Sequence, residues 1–315
     1  MALHPQIVAL MERAAAAGVR PTHELTVDEA RVQMDEMSRE RDKDRTKVRM
    51  VADTGINGAG GDDVTMRVYW PDLVQTDIAP AIMFFHGGGH VIGSLNSHDL
   101  VARNLCADTG YLVVSVDYRM GPEHKFPAAP EDCYAATKWV AENTRQLGVD
   151  PTRIALAGDS AGANLAAVVA MMARDAGGPD IAFQLLVYPV ADYAFDTPSY
   201  ETYAEDAGIL TAAGMHWFRD HYLNGPDDYE DWRAAPLRAK DFSGLPPALV
   251  ITAECDVLHD EGVALAEALA AAGVAVEQRD YPGMMHGFYS FAPLVDDGRT
   301  AQLHAAEALR KVLSA

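Results

Sequence analysis

Residues 154–169, which read IALAGDSAGANLAAVV, contain the strongest candidate for chemistry in this chain. An apolar run precedes Gly-Asp-Ser-Ala-Gly and apolar residues at helical spacing follow it, which predicts a buried strand turning sharply into a buried helix. Gly158 and Gly162 lack the bulk that would stop such a turn from directing one side chain, Ser160, outward. The following helix also favours developing negative charge. Ser160 is therefore the candidate nucleophile, and a glycine-rich turn with an unreactive serine is the alternative.

A serine hydroxyl is a weak nucleophile at neutral pH and needs a general base, which in turn needs an orienting acid. After a nucleophile on a strand-turn-helix, the partners follow in chain order as acid and then histidine. Among the 11 histidines, this order leaves His259, His286 and His304. His304 lies in a regular amphipathic helix, whereas His286 follows a short strand in DYPGMMHGFYS. A loop above a sheet edge suits a general base, so His286 is predicted.

The acid should come from residues 248–262, ALVITAECDVLHDEG, which contain four carboxylates. Asp260 and Glu261 open the next helix, where the free N–H groups and the helix dipole account for them. Glu254 still lies within the strand, while Asp256 falls just beyond it. We therefore predict that Asp256 orients His286 and stabilises its imidazolium, with Glu254 as the alternative.

The glycine run in FFHGGGHVIGS supplies what acyl transfer needs next, which is a set of fixed N–H donors for the oxyanion. Glycines after a strand expose their N–H groups without obstruction by side chains. We predict that Gly88 and Gly89, with the N–H of Ala161 after the nucleophile, form this oxyanion hole. His86 is expected to brace the loop through hydrogen bonds.

The same run has an alternative interpretation as part of a dinucleotide-binding unit. It follows a strand and precedes a helix, and a second strand then ends in Asp117. Gly87 and Gly89 fit the first two positions of Gly-x-Gly-x-x-Gly, but the third falls on Ile92, with Gly93 one residue late. This interpretation also leaves the nucleophile and base candidates unused, so an oxidoreductase is disfavoured.

The elements that must position these residues are short, almost wholly apolar runs separated by helical stretches, namely AIMFF, YLVVSV, RIALA, FQLLVYP and ALVITA. Strands buried on both faces that alternate with helices predict an α/β fold with a doubly wound, mostly parallel sheet. Two segments interrupt the alternation, residues 1–45 and 191–230. We expect both to form a lid above the carboxyl edge of the sheet, although simple packing on the scaffold is the alternative.

Composition limits the classes of function. The net charge of −21 disfavours nucleic-acid and membrane-surface partners. No apolar run approaches the roughly 20 residues that span a bilayer, and the N-terminus lacks the basic region of a signal peptide, so a cytoplasmic location is expected. The three cysteines show no metal-site spacing, and no third ligand accompanies His86 and His90. Neither a metal nor a cofactor is expected.

Five motifs together, HGGG, DYRMGPEHKFPAA, GDSAGANLA, ECDVLHDEG and YPGMMHGF, resemble the bacterial hormone-sensitive-lipase family of carboxylesterases, within the α/β-hydrolases. The resemblance runs from about residue 80 to the C-terminus and places the chain in the branch with Asp before the nucleophile. It implies an α/β-hydrolase fold in which residues 46–190 and 231–315 form the catalytic domain. It also implies a helical cap built from the segments 1–45 and 191–230.

The resemblance carries over to individual residues. It implies a Ser160, Asp256 and His286 triad and the same three oxyanion donors, and it makes Asp117 and Arg119 part of a structural ion-pair region. The chain departs from the family pattern at three places, where His90 replaces a usual Trp or Phe, Met120-Gly121 a common Leu-Ala, and Lys125 a common Pro.

These observations predict a serine carboxylesterase that hydrolyses small-molecule esters with short to medium acyl chains. Lactonase or amidase activity would use the same triad, and a catalytically inactive ligand-binding receptor on this fold is the alternative from another class. A homodimer is compatible with the sequence. The candidate substrate-binding residues are His90, Tyr193, Tyr200, Leu210, Trp217 and Phe218. Core packing is the alternative role for each of them.

Overall fold

Strands and helices alternate along the chain as the apolar runs predict. The computed structural model describes residues 2–41, 45–58, 61–72, 78–205 and 208–314. The strands within these ranges are β1 (Met50–Asn57), β2 (Asp63–Trp70), β3 (Ala79–Phe85), β4 (Leu112–Asp117), β5 (Val149–Asp159), β6 (Phe183–Val187), β7 (Ala248–Cys255) and β8 (Val276–Met285). The α-helices described are α1 (Pro5–Ala16), α2 (Val27–Arg41), α3 (Asp99–Thr109), α4 (Ala128–Glu142), α5 (Thr144–Leu147), α6 (Ala161–Ala176), α7 (Pro198–Thr202), α8 (Ala212–Tyr222), α9 (Pro226–Tyr229), α10 (His259–Ala271) and α11 (Asp296–Leu313). Short 3₁₀ helices span Thr22–Glu24, Pro236–Arg238 and Phe288–Phe291.

The strands form one sheet in the order β1-β2-β4-β3-β5-β6-β7-β8. β2 is antiparallel to both of its neighbours, and every other pair is parallel. Met83 at the centre of β3 pairs with Val114 on one side and Leu156 on the other. The five apolar runs are β3 to β7, so the predicted mostly parallel sheet is confirmed. Its parallel strands bring their carboxyl ends, and the loops that follow them, to one edge.

Each face of the sheet is covered by helices, as strands without a polar face require. Alternate residues of β3 point to opposite sides, with Ile82 and Phe84 in one apolar core and Met83 and Phe85 in the other. The first core is closed by α3 and α11, and the second by α4, α6 and α10. Two cores on one sheet make the fold doubly wound. Of the helices described, none combines the length and apolar character needed to cross a membrane.

The two segments outside the alternation contact each other and the sheet edge. α8 of the segment 191–230 packs against the 3₁₀ helix Thr22–Glu24 of the N-terminal segment. Arg31 of α2 donates hydrogen bonds to the carbonyls of Val91 and Gly121, which lie in loops after β3 and β4. The N-terminal segment is thereby tied to the edge where the candidate site residues lie. Three parts of the predicted cap segments lie outside the described residues, namely residue 1, residues 42–44 and residues 206–207.

Candidate active site

The turn between β5 and α6 holds Ser160 in a strained conformation. Its φ of 56° and ψ of −120° are rare for a residue with a side chain, and such strain persists only where the surroundings enforce it. The surroundings here are very close, because a Cβ on Gly158 would lie 2.3 Å from the carbonyl of Gly162. The two glycines of the motif thus allow strand and helix to meet, and the turn directs the hydroxyl of Ser160 outward.

Three strand ends bring three side chains together at the carboxyl edge of the sheet. Ser160 follows β5, Asp256 follows β7 and His286 follows β8. Nε2 of His286 lies 2.9 Å from Oγ of Ser160, and Nδ1 of the same ring lies 2.6 Å from Oδ2 of Asp256. The residues are only 8%, 1% and 8% exposed for Ser160, Asp256 and His286. A buried hydroxyl, imidazole and carboxylate in hydrogen-bonded series can move a proton from serine to histidine.

The other candidate acids and bases have different partners. Glu254 accepts a hydrogen bond from the Gly283 N–H at 2.7 Å, within the part of β8 where its pairing with β7 is irregular. Buried Glu261 accepts from the N–H groups of Ala191 and Asp192, and burial raises its pKa well above the usual value. Nδ1 of His304 lies 2.7 Å from the hydroxyl of Tyr281. These groups serve the scaffold, and the geometry distinguishes Asp256 from Glu254.

His259, at the start of α10, ties the loop that follows Asp256 to β8. Its ring nitrogens lie 2.8 Å from Asp260 and 3.4 Å from Asp280. Hydrogen bonds to Asp280 and then to Asp260 raise the pKa of His259 from an ordinary 6.5 to about 9, against partial burial. A pKa raised on folding means that the ion pairs stabilise the native state fully below about pH 6.5 and cease to do so as the pH rises through 9.

We therefore expect the difference in unfolding free energy between the native protein and His259→Gln to be largest near pH 6 and to vanish by about pH 10. Urea unfolding of the two proteins across this range measures that difference. Subtracting the unfolding free energy of the variant from that of the native protein cancels the pH dependence that all other groups contribute. A difference that stays constant with pH would show that the charge of His259 contributes nothing.

Residues 86–93, named here the oxyanion loop, form a tight turn after β3. The carbonyl of Gly88 accepts the N–H groups of both Val91 and Ile92. Gly88 and Gly89 have positive φ values of 118° and 60°, which explains two glycines at these positions. Ala161 is the first residue of α6, so its N–H has no partner within the helix. The three N–H groups belong to segments adjoining Ser160, as an oxyanion hole requires.

Asp159, which precedes the nucleophile, connects the turn to this loop and was not assigned a role from the sequence. Its Oδ1 accepts the Gly87 N–H at 3.1 Å, and its Oδ2 lies 3.4 Å from Nε2 of His98. Burial opposes its ionisation, but the His98 ring and the Gly87 N–H hold the pKa of Asp159 below the usual value. His86 braces the loop from within, since its carbonyl accepts the Tyr118 hydroxyl at 2.7 Å. The carboxylate therefore fixes the loop relative to Ser160.

A cavity of about 370 Å³ opens onto Ser160 and His286. Its floor is the oxyanion loop and the nucleophile turn, and its walls come from α1, α2 and the segment 208–218. Of the predicted substrate-binding residues, Leu210 and Phe218 line it. The sequence did not single out the methionines of its wall, which are Met11, Met34, Met37 and Met215.

The other predicted pocket residues lie outside the lining, which corrects the expectation for them. His90 is fully buried, with its ring stacked on Tyr222. Tyr193 packs edge-on against Phe195 within the core, at 5.9 Å between ring centroids. Tyr200 is also buried, with its hydroxyl 3.5 Å from Glu261.

Trp217 also lies outside the cavity lining. Its ring packs on His221, one turn further along α8, at 4.3 Å between centroids. Successive residues of a helix point about 100° apart, so Phe218 can face the cavity while Trp217 does not. Within the described residues, no three His, Cys, Asp or Glu side chains converge as a metal site requires.

Comparisons with known proteins agree with this geometry. A protein-family model described as alpha/beta hydrolase fold matches residues 82–290. The chain is 45% identical over 257 residues to carboxylesterase NlhH of Mycobacterium tuberculosis, covering 80% of each chain. It is 36% identical over 321 residues to the ethyl acetate hydrolase of Pseudomonas putida, covering 99% of this chain and 100% of the relative.

Solved structures give the same result over the whole chain. A hyperthermophilic esterase from the archaeon Pyrobaculum calidifontis superimposes with a TM-score of 0.94 at 42% identity, covering 100% of both chains. The family model matches well over half of the sequence, and curated relatives at 45% and 36% identity are named as esterases. The chain belongs to the hormone-sensitive-lipase-like carboxylesterases of the α/β-hydrolase superfamily.

Proposed function

We propose that the protein hydrolyses carboxylic esters with short to medium acyl chains through an acyl-enzyme intermediate on Ser160. The observation that carries the proposal is the hydrogen-bonded series from Asp256 through His286 to Ser160, at the floor of an apolar cavity. Membership of a carboxylesterase family gives the reaction class, and the geometry supports the role of each residue.

In acylation, Oγ of Ser160 attacks the ester carbonyl carbon while Nε2 of His286 takes the hydroxyl proton. The carbonyl oxygen becomes an oxyanion facing the N–H groups of Gly88, Gly89 and Ala161. Asp256 holds the ring in the tautomer that presents a free Nε2, and it stabilises the imidazolium that forms. When the intermediate collapses, the bond to the alcohol oxygen breaks and His286 returns its proton to the leaving alcohol.

Deacylation repeats these steps with water in place of the alcohol. His286 takes a proton from the water, whose oxygen attacks the acyl carbon, and the oxyanion forms against the same donors. Collapse releases the carboxylic acid and returns the proton to Ser160. Two steps with one set of residues account for the whole hydrolysis. A lactone carbonyl would follow the same course, whereas an amide needs His286 to protonate a more basic leaving group.

The size and character of the cavity support small, apolar acyl groups. Its wall is mostly apolar, with Met34, Leu210 and Phe218 among the residues that line it. Each buried methylene contributes about 0.8 kcal/mol, so rates should rise with chain length until the wall is reached. The relative named ethyl acetate hydrolase acts, by its name, on an ester at the small end of this range.

Two further features of the proposal concern organisation. We assign residues 1–45 and 191–230 to a cap and residues 46–190 and 231–315 to the catalytic domain, since both cap segments contribute to the cavity wall.

We place the reaction in the cytoplasm, because Cys106, Cys133 and Cys255 are free thiols, as a reducing compartment favours. All residues of the mechanism belong to one chain, so the mechanism does not depend on a homodimer.

A series of p-nitrophenyl esters with acyl chains of two to about twelve carbons tests the substrate class. We expect kcat/KM to peak at a short or medium length and to fall by about tenfold or more at twelve carbons, because a chain longer than the cavity leaves methylenes in water. A rate that rises steadily to twelve carbons would contradict the proposal.

Covalent labelling tests the nucleophile independently of substrate preference. A p-nitrophenyl alkylphosphonate should transfer one phosphonyl group per chain to Ser160, located by peptide mass mapping, with release of one p-nitrophenolate. Ser160→Ala, a small change at the same site, should take up none. Labelling of another residue, or equal labelling of the variant, would exclude Ser160 as the nucleophile.

A further inference from the structure

The oxyanion loop is in contact with one helix of the cap segment through two consecutive residues. A Cβ on Gly89 would lie 2.2 Å from the ring of Phe218 on α8, so this ring rests directly on the loop. One turn later on the same helix, Tyr222 stacks on His90, with 4.0 Å between ring centroids and 10° between the planes. The face of α8 formed by these two residues therefore covers the loop that carries the oxyanion donors.

This stack covers one face of the His90 ring. The ring is fully buried, and within the described residues neither ring nitrogen makes a hydrogen bond of good geometry, although the Asn164 side chain and the backbone of Ala161 and Gly89 lie close enough to oppose the fall in its pKa. Burial lowers the pKa of His90 to about 3, so the ring is neutral and stacks as an aromatic. The backbone at His90 has φ of 60°, a conformation that a non-glycine residue keeps only under constraint. Its ring contact with Tyr222 supplies such a constraint one residue from Gly89.

α8 is in turn anchored to the loop that follows β4. Nζ of Lys125 donates to the carbonyls of Asp220 and Leu223 at 2.8 and 2.7 Å, which satisfies carbonyls that the end of α8 leaves open. A Cβ on Gly121 would lie 2.4 Å from the carbonyl of His221, so only glycine permits this approach.

The N–H of Gly121 also donates a hydrogen bond to the His90 carbonyl at 2.9 Å, which links the loop after β4 to the oxyanion loop. His90, Gly121 and Lys125 are among the positions at which the sequence departs from the family pattern. The departures therefore meet at one contact, between α8 and the oxyanion loop.

We propose that Tyr222, through the ring of His90, positions the N–H groups of Gly88 and Gly89, so that the placement of α8 sets the donor geometry of the oxyanion hole. The inference rests on the proposed function. Neither Tyr222 nor His90 lines the cavity, so neither contacts substrate in this arrangement. They are positioning residues, and their effect should fall on the transition state, where donor distance matters most, and not on substrate binding.

The test compares Tyr222→Leu, which removes the ring, with Tyr222→Phe, which keeps it and deletes a hydroxyl that has no partner among the described residues. We expect Tyr222→Leu to lower kcat about tenfold with KM within about twofold, and Tyr222→Phe to stay near the native values. The same variants are assayed on a matched thionoester, whose larger sulfur cannot use the oxyanion donors well. The loss in kcat should be much smaller on the thionoester, because displacing an N–H donor costs little when the substrate does not use that donor.

His90→Asn and His90→Phe give an independent pair at the other side of the stack. Asparagine tolerates the left-handed backbone but lacks the ring, so it should reproduce the loss in kcat, while phenylalanine should retain most of the activity. Tyr222→Leu combined with His90→Asn should be no worse than either alone, since both remove one contact. If Tyr222→Leu shows no cooperative thermal transition, it is not folded. The comparison of His90→Asn with His90→Phe then tests the inference.

The inference is overturned if folded ring-deleting variants keep the native kcat, or if they lose equally on the oxoester and the thionoester. A loss confined to KM would also overturn it. Failure of the proposed function is a separate result, since it would appear as native protein whose Ser160 takes no phosphonate label. Protein that labels and hydrolyses normally but is insensitive to both ring deletions leaves the function intact and removes only the role of α8.

Discussion

Asp256→Asn should lower kcat about 10⁴-fold while leaving KM and the fold nearly unchanged. The native carboxylate accepts a hydrogen bond from Nδ1 of His286 at 2.6 Å, and its other oxygen accepts the Leu258 N–H at 3.0 Å. An amide at this position can offer its own N–H to Nδ1, which favours the tautomer with the proton on Nε2. That proton would face Ser160, so the ring could not act as a base. Steady-state kinetics on a soluble p-nitrophenyl ester measure the loss.

Glu254→Gln is the matched control, because it makes the same change in charge and shape two residues away. The Glu254 side chain accepts the Gly283 N–H, and a glutamine oxygen can keep that bond. Activity within about threefold of native is expected, since the His286 ring is not involved. The assignment of the acid would be reversed if the glutamine variant lost activity by orders of magnitude and the asparagine variant did not.

The mostly parallel sheet and the meeting of Ser160, Asp256 and His286 at one edge could be predicted because both depend on local patterns. Runs such as AIMFF have no polar face and so must be buried on both sides, which specifies a parallel sheet between helix layers. Residues placed just after such strands meet at one edge whatever the chain between them does. That is why Ser160 and His286, 126 residues apart, could be paired from sequence and lie 2.9 Å apart.

The residues that sequence analysis missed or misplaced depend on contacts without a local signal. Trp217 and Phe218 are equally apolar neighbours, and only the docking angle of α8 decides which one reaches the cavity. His90 follows the glycine run and was expected near substrate, but its left-handed backbone and the approach of Tyr222 bury it. The link from Asp159 to Gly87 joins residues 72 positions apart, and neither residue type alone indicates it.

The start of α6 lies very close to the end of β3. A Cβ on Gly162 would lie 1.9 Å from the carbonyl oxygen of Phe85 and 2.8 Å from the carbonyl carbon of His86. Both are backbone atoms that no side-chain rotation can move. Phe85 is the last residue of β3 and His86 is the first of the oxyanion loop, so this contact joins the two halves of the proposed oxyanion hole. Ala161, beside Gly162, is the proposed donor on the other half.

Gly162→Ala should therefore reduce both activity and stability. The helix start and the strand end must separate by about 1 Å or more to accept the methyl group, and a displacement of that size costs about 100-fold in kcat. Overpacking of this kind also lowers the free energy of unfolding by about 3 kcal/mol, measurable by urea denaturation. Gly214→Ala on α8 is the control, since its Cβ would meet nothing nearer than Thr211 Oγ1 at 3.4 Å. It should keep native activity, and its free energy of unfolding should rise by up to about 1 kcal/mol, because alanine has a higher helix propensity than glycine. Native kcat and stability in Gly162→Ala would mean that α6 and the oxyanion loop can separate without cost, and the rigid two-sided oxyanion hole on which the mechanism depends would have to be abandoned.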